Sequence, residues 1–232
     1  MKIALVGYGK MGKIIDGVSQ SRGHEVVARL RETPTIENLN DADVVIEFSN
    51  PEVAFQNIKT CLENKIPVIC GTTGWLDKKP EIERIALENN TAFLYGSNFS
   101  LGVNLFFALN ENLAKIMNKF SEYNCQLEEI HHIHKLDAPS GTAISLAEGI
   151  IHNSNFEAWK LDETKEKELG IFAIRENEVP GTHSVFYRSE VDEIEIKHTA
   201  YNRNGFALGA VIAAEWIVDK KGVFAMKDVL GL

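Results

Sequence analysis

The stretch KIALVGYGKMGKII, residues 2–15, limits the possible folds more than any other part of the chain. Ile3 to Val6 read as a short buried strand. Gly7, Gly9 and Gly12 follow at once, and a helical pattern runs from Lys10 to about Arg22. In a strand–loop–helix unit the first glycine permits a tight turn, and the second lets the backbone approach a pyrophosphate. The third lets the helix pack close to the strand. The free N–H groups of the helix start then face the anion. A lone GxGxxG is weak, and its place within a βαβ pattern strengthens it. The plainer alternative is a glycine-rich turn without a ligand.

That pattern continues over the first hundred residues. Strands are expected at Glu25–Leu30, Asp43–Phe48, Pro67–Cys70 and Ala92–Tyr95, with helices at Pro51–Asn64 and Pro80–Asn89. Such alternation implies right-handed βαβ units and a parallel sheet. The middle differs. Leu101–Phe120 reads as a long apolar helix, Gln126–His134 as a strand and Thr142–His152 as a helix. A charged, weakly patterned stretch follows from Asn153 to Gly170, then strands at Gly170–Arg175 and Ser184–Tyr187. In Val191–Ala200, apolar residues alternate with charges, which suits an antiparallel sheet with one wet face. Phe206–Val218 reads as a buried helix that returns to the first domain. The expected class is therefore α/β. A Rossmann-type parallel sheet (1–102, completed by 204–232) is joined to a smaller α+β mixed-sheet domain (103–203) for substrate binding and oligomerisation.

Charge and composition exclude some functions. A net charge of −9 opposes nucleic-acid coating or membrane-surface binding, which need a positive field. No apolar run approaches the ~20 residues of a membrane span, and Ile3–Val6 is too short for the core of a signal peptide. Cys61, Cys70 and Cys125 form no CxxC pair and suggest no disulfide framework. A soluble, cytoplasmic protein is expected.

The residue after the second strand reads the adenosine ribose: an acid favours NAD, and an arginine accommodates the 2′-phosphate of NADP. Here Arg29, Arg31 and Glu32 lie near that place, and Arg31 is the expected phosphate contact, so NADPH is somewhat favoured over NADH; solvated loop charges are the alternative. CGTTGW (Cys70–Trp75) and YGSNFSLGVN (Tyr95–Asn104) follow the fourth and fifth strands, where open α/β sheets bind ligands. Gly71 and Gly74 allow backbone approach to the nicotinamide half, and Thr72 and Thr73 supply hydroxyls. Ordinary βα turns are the alternative.

The most unusual stretch is EEIHHIHKLDAPSGTA, residues 128–143. A metal site fits poorly: zinc on a helix prefers an i, i+4 histidine pair, a strand puts only His132 and His134 on one face, and Lys135 adds a cation. A solvated strand end is the bland alternative, but it leaves Pro139-Ser140-Gly141-Thr142 unexplained. Ser140 can cap the following helix, and the N–H groups near Gly141 and Thr142 can hold a carboxylate. His131 and Lys135, on one strand face, can sit across from it as proton-handling groups. This constellation suits a small di-acid undergoing reduction with proton transfer.

These residues resemble the 4-hydroxy-tetrahydrodipicolinate (dihydrodipicolinate) reductase family, whose signature has the form E-x-H-H-x-x-K-x-D-x-P-S-G-T-A. The resemblance extends to GTTGW, SNFSLGVN, IRENEVPGTH, IEIKHTAYNR and GVFAMKDVLGL, and so to almost the whole chain. It implies a Rossmann domain, a mixed-sheet domain that assembles a homotetramer, and reduction of a cyclic imine dicarboxylate by NADH or NADPH in lysine biosynthesis by the diaminopimelate route. Hydride would pass to ring C4. His131 matches the family's acid/base histidine and Lys135 its proton-donating lysine. His132, Ser140, Gly141, Thr142 and Arg203 match the positions that hold the two carboxylates. Gly7, Tyr8, Gly9, Lys10, Met11 and Gly12 match dinucleotide contacts, as do Gly71 to Gly74 and Gly96, Ser97, Asn98 and Phe99. No metal is implied.

The chain departs from the family pattern in four places. The glycine loop is one residue shorter than G-x-x-G-R-M-G, and Lys10 replaces the usual arginine. The link between Leu30 and Asp43 is abbreviated, Arg31 replaces the usual acid, and Asn177 replaces a common glycine. These departures leave the choice of nicotinamide open. Two rivals remain: another amino-acid-type dehydrogenase, such as an aspartate dehydrogenase, and a non-catalytic dinucleotide sensor. Neither accounts for the histidine–lysine signature.

Overall fold

The structure, a computed structural model, describes residues 1–232. It begins with β1 (Lys2–Val6), α1 (Lys10–Ser21), β2 (Glu25–Leu30), β3 (Val44–Glu47), α2 (Pro51–Glu63), β4 (Val68–Cys70), α3 (Lys79–Glu88) and β5 (Ala92–Tyr95). Then come α4 (Leu101–Met117), β6 (Asn124–His131), α5 (Gly141–His152), β7 (Ala158–Leu161), β8 (Glu168–Arg175), β9 (Thr182–Arg188) and β10 (Glu193–Thr199). The chain ends with α6 (Asn204–Ile217), β11 (Gly222–Phe224) and α7 (Met226–Leu230). It divides into two compact units, Met1–Leu101 with Arg203–Leu232, and Gly102–Asn202.

The first unit is a six-stranded, wholly parallel sheet in the order β11-β5-β4-β3-β1-β2. Its strands are apolar on both faces because helices cover both. Ala4, Val6, Val45 and Val68 meet Ala54, Ile58 and Leu62 of α2 and Ile82, Ile85 and Ala86 of α3. Ile3, Leu5, Ile46, Ile69 and Leu94 meet Ile15 of α1 and Ala207, Ala210, Val211, Ala214 and Ile217 of α6. α6 thus packs on the first unit's sheet. Two elements absent from the sequence reading follow it: β11 extends the sheet beside β5, and α7 adds Met226 to the same core.

The second unit is a mixed sheet in the order β10-β9-β6-β8-β7. β6 runs parallel to β8 and antiparallel to β9, and β10 pairs antiparallel with β9 as the alternation predicts. Both helices of the unit lie on one face. There Cys125, Leu127, Leu169, Ile171, Val185 and Tyr187 pack on Phe106, Ala114 and Met117 of α4 and Leu146, Ala147 and Ile150 of α5. The weakly patterned stretch contains β7, which the sequence reading missed. It is a four-residue edge strand beside β8, too short and too exposed to show a burial period.

β6 corrects a second expectation. It ends at His131, not His134, because its neighbour β8 ends opposite it at Arg175. The chain then turns: Lys135 N–H donates to the His132 carbonyl (3.1 Å) and Ile133 N–H to that of Asn177 (3.1 Å). Asn177 adopts a left-handed φ of 44°, a conformation that favours the glycine it replaces.

One close approach seats α6. A Cβ at Gly209 would lie 1.7 Å from the Phe99 carbonyl oxygen. The expected outcome for Gly209→Ala is a loss of at least ~3 kcal/mol of unfolding free energy, read by urea titration with circular dichroism.

Candidate active site

In the first unit the chain reverses its lateral direction at β1: β2 lies on one side and β3 on the other. Ligands of open α/β sheets bind at such a point, outside the carboxyl ends of the strands. Two clefts occupy it. One, of about 560 Å³, is lined by Gly7, Tyr8, Gly9, Arg31, Glu32, Thr33, Phe48, Ser49 and Asn57 among others. The other, of about 340 Å³, shares Gly9, Phe48 and Ser49 with it and adds Lys10, Met11, Gly71, Thr72 and Thr73.

The glycine loop is tightly packed at its first and third glycines and open at its second. Gly7 has a φ of +93°, and a Cβ there would lie 2.1 Å from the Phe48 carbonyl oxygen. Gly12 is buried against the Gly7 carbonyl, whereas a Cβ on Gly9 would meet nothing within 4 Å. No side chain caps α1, and its first turn carries no acidic residue.

The arginines near the ribose position have separate fates. Arg29 is paired with buried Asp16 through two hydrogen bonds, 2.7 and 2.9 Å, and Tyr8 Oη donates to the same carboxylate at 2.6 Å. The hydrogen bond from Arg29 holds the Asp16 carboxyl at about 2, against the opposing effect of burial. Arg31 is exposed at the cleft and donates to the Tyr8 carbonyl at 3.3 Å. Thr72 is buried, and its hydroxyl accepts from Ser49 N–H at 2.8 Å, which ties the loops after β3 and β4 together. Thr73, Gly74 and Ser97 are exposed. Asn98 accepts from Ser100 N–H at 2.8 Å, and Gly96 lies against the Phe99 ring. Phe99 itself is a core residue, 1% exposed, with its ring against Phe48 and its carbonyl against Gly209 of α6.

The histidine-rich stretch forms a second cluster, within the second unit. Alternation along β6 puts Cys125, Leu127, Glu129 and His131 on the helix-covered face. Cross-strand pairing sets His183 of β9 opposite Glu129, and Arg175 of β8 lies beside His131. Glu129 is fully buried. Its carboxylate accepts Ser140 N–H at 3.1 and 3.0 Å and Arg175 Nη2 at 3.1 Å. His131 Nδ1 lies 3.4 Å away and His183 Nε2 3.6 Å away. Ser140 caps α5 as predicted: its hydroxyl accepts from Ala143 N–H at 3.2 Å, and it also contacts His183 Nε2 at 3.1 Å. Gly141 and Thr142 open the helix, with open space where a Gly141 Cβ would be.

Lys135 does not share a strand face with His131, because it lies past the end of β6. Its ammonium is held by both oxygens of Asp137 at 2.8 Å. Arg175 fixes that loop by donating to the Asp137 carbonyl at 2.6 Å. His132 and His134 lie in the turn with ring centroids 6.1 Å apart, and exposed His134 pairs with Glu178. Arg203 is exposed at the start of α6 in the first unit. The sequence reading passed over Glu129, Arg175 and His183. Glu129 and His131 are two residues apart on a strand, a spacing that signals a shared face, but the partners on β8 and β9 carry no local signal.

Glu129, His131 and His183 present ligand atoms within 4.8 Å of one another, a spacing a metal ion can bridge. The donor set fits a cation poorly, because Arg175 and the Ser140 amide already neutralise the carboxylate.

The comparisons identify the relatives. The dihydrodipicolinate reductase N-terminus model matches residues 1–99 and the C-terminus model residues 102–230. The chain belongs to the dihydrodipicolinate reductase family. The 4-hydroxy-tetrahydrodipicolinate reductase of Christiangramia forsetii is 53% identical over 99% of this chain and 98% of its own length. That of Methanocaldococcus jannaschii is 37% identical over 98% and 81%. Dipicolinate-bound dihydrodipicolinate reductase from Paenisporosarcina sp. TG-14 shares the fold, with a TM-score of 0.78 at 21% identity over 97% of both chains. An amine dehydrogenase from Mycobacterium smegmatis shares it more distantly, with a TM-score of 0.54 at 8% identity over 97% and 95%. No helix is long and apolar enough to cross a membrane.

The family's histidine stretch makes stability depend on pH. Burial pushes the His131 imidazole down to about 4, against the pull of Glu129, while His183, Lys135 and Arg175 add to the depression. Burial works against ionisation of Glu129, but the His183 ring and the Ser140 donors outweigh it and hold the carboxyl at about 2. Both values lie below those of the free groups, so the unfolded chain takes up protons first as pH falls. The stability from His131 is complete above pH 6.5 and is lost towards pH 4; that from Glu129 is lost between pH 4.5 and 2. Unfolding free energy should fall by about 3 kcal/mol between pH 7 and pH 4, and His131→Asn should flatten this slope in urea titrations.

Proposed function

We propose that the chain reduces 4-hydroxy-tetrahydrodipicolinate to tetrahydrodipicolinate in the diaminopimelate route of lysine biosynthesis, with NADPH favoured over NADH. The observation that carries this reading is the cluster in the second unit. His131 and the capped start of α5 are gathered around one buried carboxylate, with Arg175 linking it to the Lys135 loop, in a chain whose first unit carries a dinucleotide-type cleft.

The cleft fits a dinucleotide. Gly9 leaves room for a pyrophosphate beside the uncapped start of α1. Arg31, exposed at the cleft with no carboxylate partner, supports a contact with a ribose 2′-phosphate, whereas Arg29 is committed to Asp16. Lys10, Met11, Gly71, Thr72 and Thr73 line the adjoining cleft for the nicotinamide half, and Gly12, Gly74 and Gly96 to Phe99 complete the set as packing or backbone contacts. A dinucleotide held there would supply hydride to ring C4 of the conjugated imine that forms when the 4-hydroxyl leaves as water.

The chain's own residues do the rest. The N–H groups at Gly141 and Thr142, with His132, hold a substrate carboxylate, and Ser140, whose own N–H is committed to Glu129, seats that helix start. The Lys135 ammonium stabilises negative charge developing on the ring and donates the proton that completes the reduction. His131, held neutral at pH 7, orients the substrate through hydrogen bonding and has no cationic proton to give. The first unit is the dinucleotide domain. The second binds substrate and builds a homotetramer, as the family resemblance implies. The free buried thiols of Cys61, Cys70 and Cys125 support a cytoplasmic setting.

The test is absorbance of the reduced nicotinamide, with substrate generated in place from pyruvate and aspartate semialdehyde by the preceding synthase. Oxidation that depends on both proteins is expected, and its absence with either cofactor would overturn the reading. In the same assay Lys135→Ala should lower kcat about 100-fold with little change in KM. Arg31→Ala should lower the NADPH/NADH ratio of kcat/KM about tenfold, while the NADH rate holds.

A further inference from the structure

Glu129 touches more of the second cluster than any group the proposed reaction uses. Its carboxylate lies on β6, two residues before His131 and on the same face. It is fully buried, and an isolated charge there would be costly. The compensation comes from three other elements: Arg175 on β8, His183 on β9 and the Ser140 amide at the start of α5.

The two oxygens have different neighbours. Oε1 accepts from Arg175 Nη2 (3.1 Å) and Ser140 N–H (3.1 Å), both obligatory donors. Oε2 also accepts from Ser140 N–H (3.0 Å); His131 Nδ1 (3.4 Å) and His183 Nε2 (3.6 Å) lie beside it as charge contacts, and buried His131 Nδ1 has no hydrogen-bond partner, so Glu129 is the carboxylate nearest to it. A carboxylate can only accept, so its electrostatic preference is for a proton on His131 Nδ1. The other ring nitrogen, Nε2, faces Gly181, where a Cβ would come within 3.1 Å of it. Glycine at 181 therefore keeps Nε2 uncrowded. Through Arg175, which also grips the Asp137 carbonyl at 2.6 Å, the same carboxylate reaches the loop that presents Lys135.

We propose that Glu129 is the positioning residue of the substrate half: it keeps the His131 proton on Nδ1, leaves Nε2 as an acceptor, and seats the α5 start and the Lys135 loop in register. The inference rests on the proposed reductase reading, because it assigns His131, the α5 start and Lys135 to substrate.

Glu129→Gln separates this role from plain structural support. Arg175 and Ser140 both need an acceptor, so the amide oxygen takes the Oε1 place and the NH₂ takes that of Oε2. The NH₂ then donates to His131 Nδ1, and the ring proton moves to Nε2. The expected results are a switch of the His131 tautomer in side-chain ¹⁵N spectra, assigned with His131→Asn, and a kcat lowered about 100-fold. KM for the dinucleotide should stay unchanged. Glu129→Asp, which keeps an acceptor-only group, should retain the wild-type tautomer and recover part of kcat.

A Gln variant that keeps the Nδ1–H tautomer, or that turns over within threefold of wild type, would overturn the inference. If the Gln variant fails to fold by circular dichroism, Glu129→Asp decides: loss of the Nδ1–H tautomer in that folded variant would sink it. The tautomer is read without turnover. An inactive wild-type protein would therefore remove the reductase reading, whereas an active wild type with an indifferent Gln variant would remove this inference alone.

Discussion

The second unit is organised around the need to neutralise one buried charge. Glu129 sits in the middle of a sheet, on the face packed by helices, where an unpaired carboxylate would cost several kcal/mol. The solution draws on elements distant in sequence. β8 supplies Arg175, β9 supplies His183, and α5 must arrive with its first amide aimed at the carboxylate. Each constraint also places a neighbouring group: His131 is held beside Glu129, the α5 start is seated by its Ser140 amide, and the Asp137 carbonyl fixes the loop of Lys135. Stability and candidate function thus share one set of contacts.

The first unit reaches its site by topology instead. The reversal at β1 opens a gap outside the strand ends, and the glycine loop crosses it. Gly7 permits the turn past Phe48, Gly12 lets α1 settle on the loop, and Gly9 leaves its flank open. The Arg29–Asp16 pair anchors β2 to α1, which leaves Arg31 as the basic side chain at the cleft rim.

Much of this was legible because the signals are local. Buried strands such as DVVIEF and the apolar run of Phe206–Val218 declare themselves by composition, and the glycine spacing declares the turn. The Ser140 cap is equally local and appears where the sequence puts it. Elements with short runs or exposed edges were missed: β7 and β11 are three- or four-residue strands whose existence depends on a neighbour to pair with. Phe99 read as part of a binding loop, yet its ring fills the core under Phe48, since a loop sequence does not reveal which way a side chain turns.

The clearest division lies in the histidine stretch. By itself the sequence determined that this chain carries an α/β nucleotide-type unit, a second mixed-sheet unit, and a dense group of proton-handling residues ahead of a capped helix. Periodicity, glycine spacing and capping chemistry are written in neighbouring residues. Only the tertiary structure decided that β6 stops at His131, that Lys135 turns away to Asp137, and that Glu129, Arg175 and His183 complete the cluster. Those outcomes depend on strand register between segments some 45 to 55 residues apart, and register is set by which faces can be buried together.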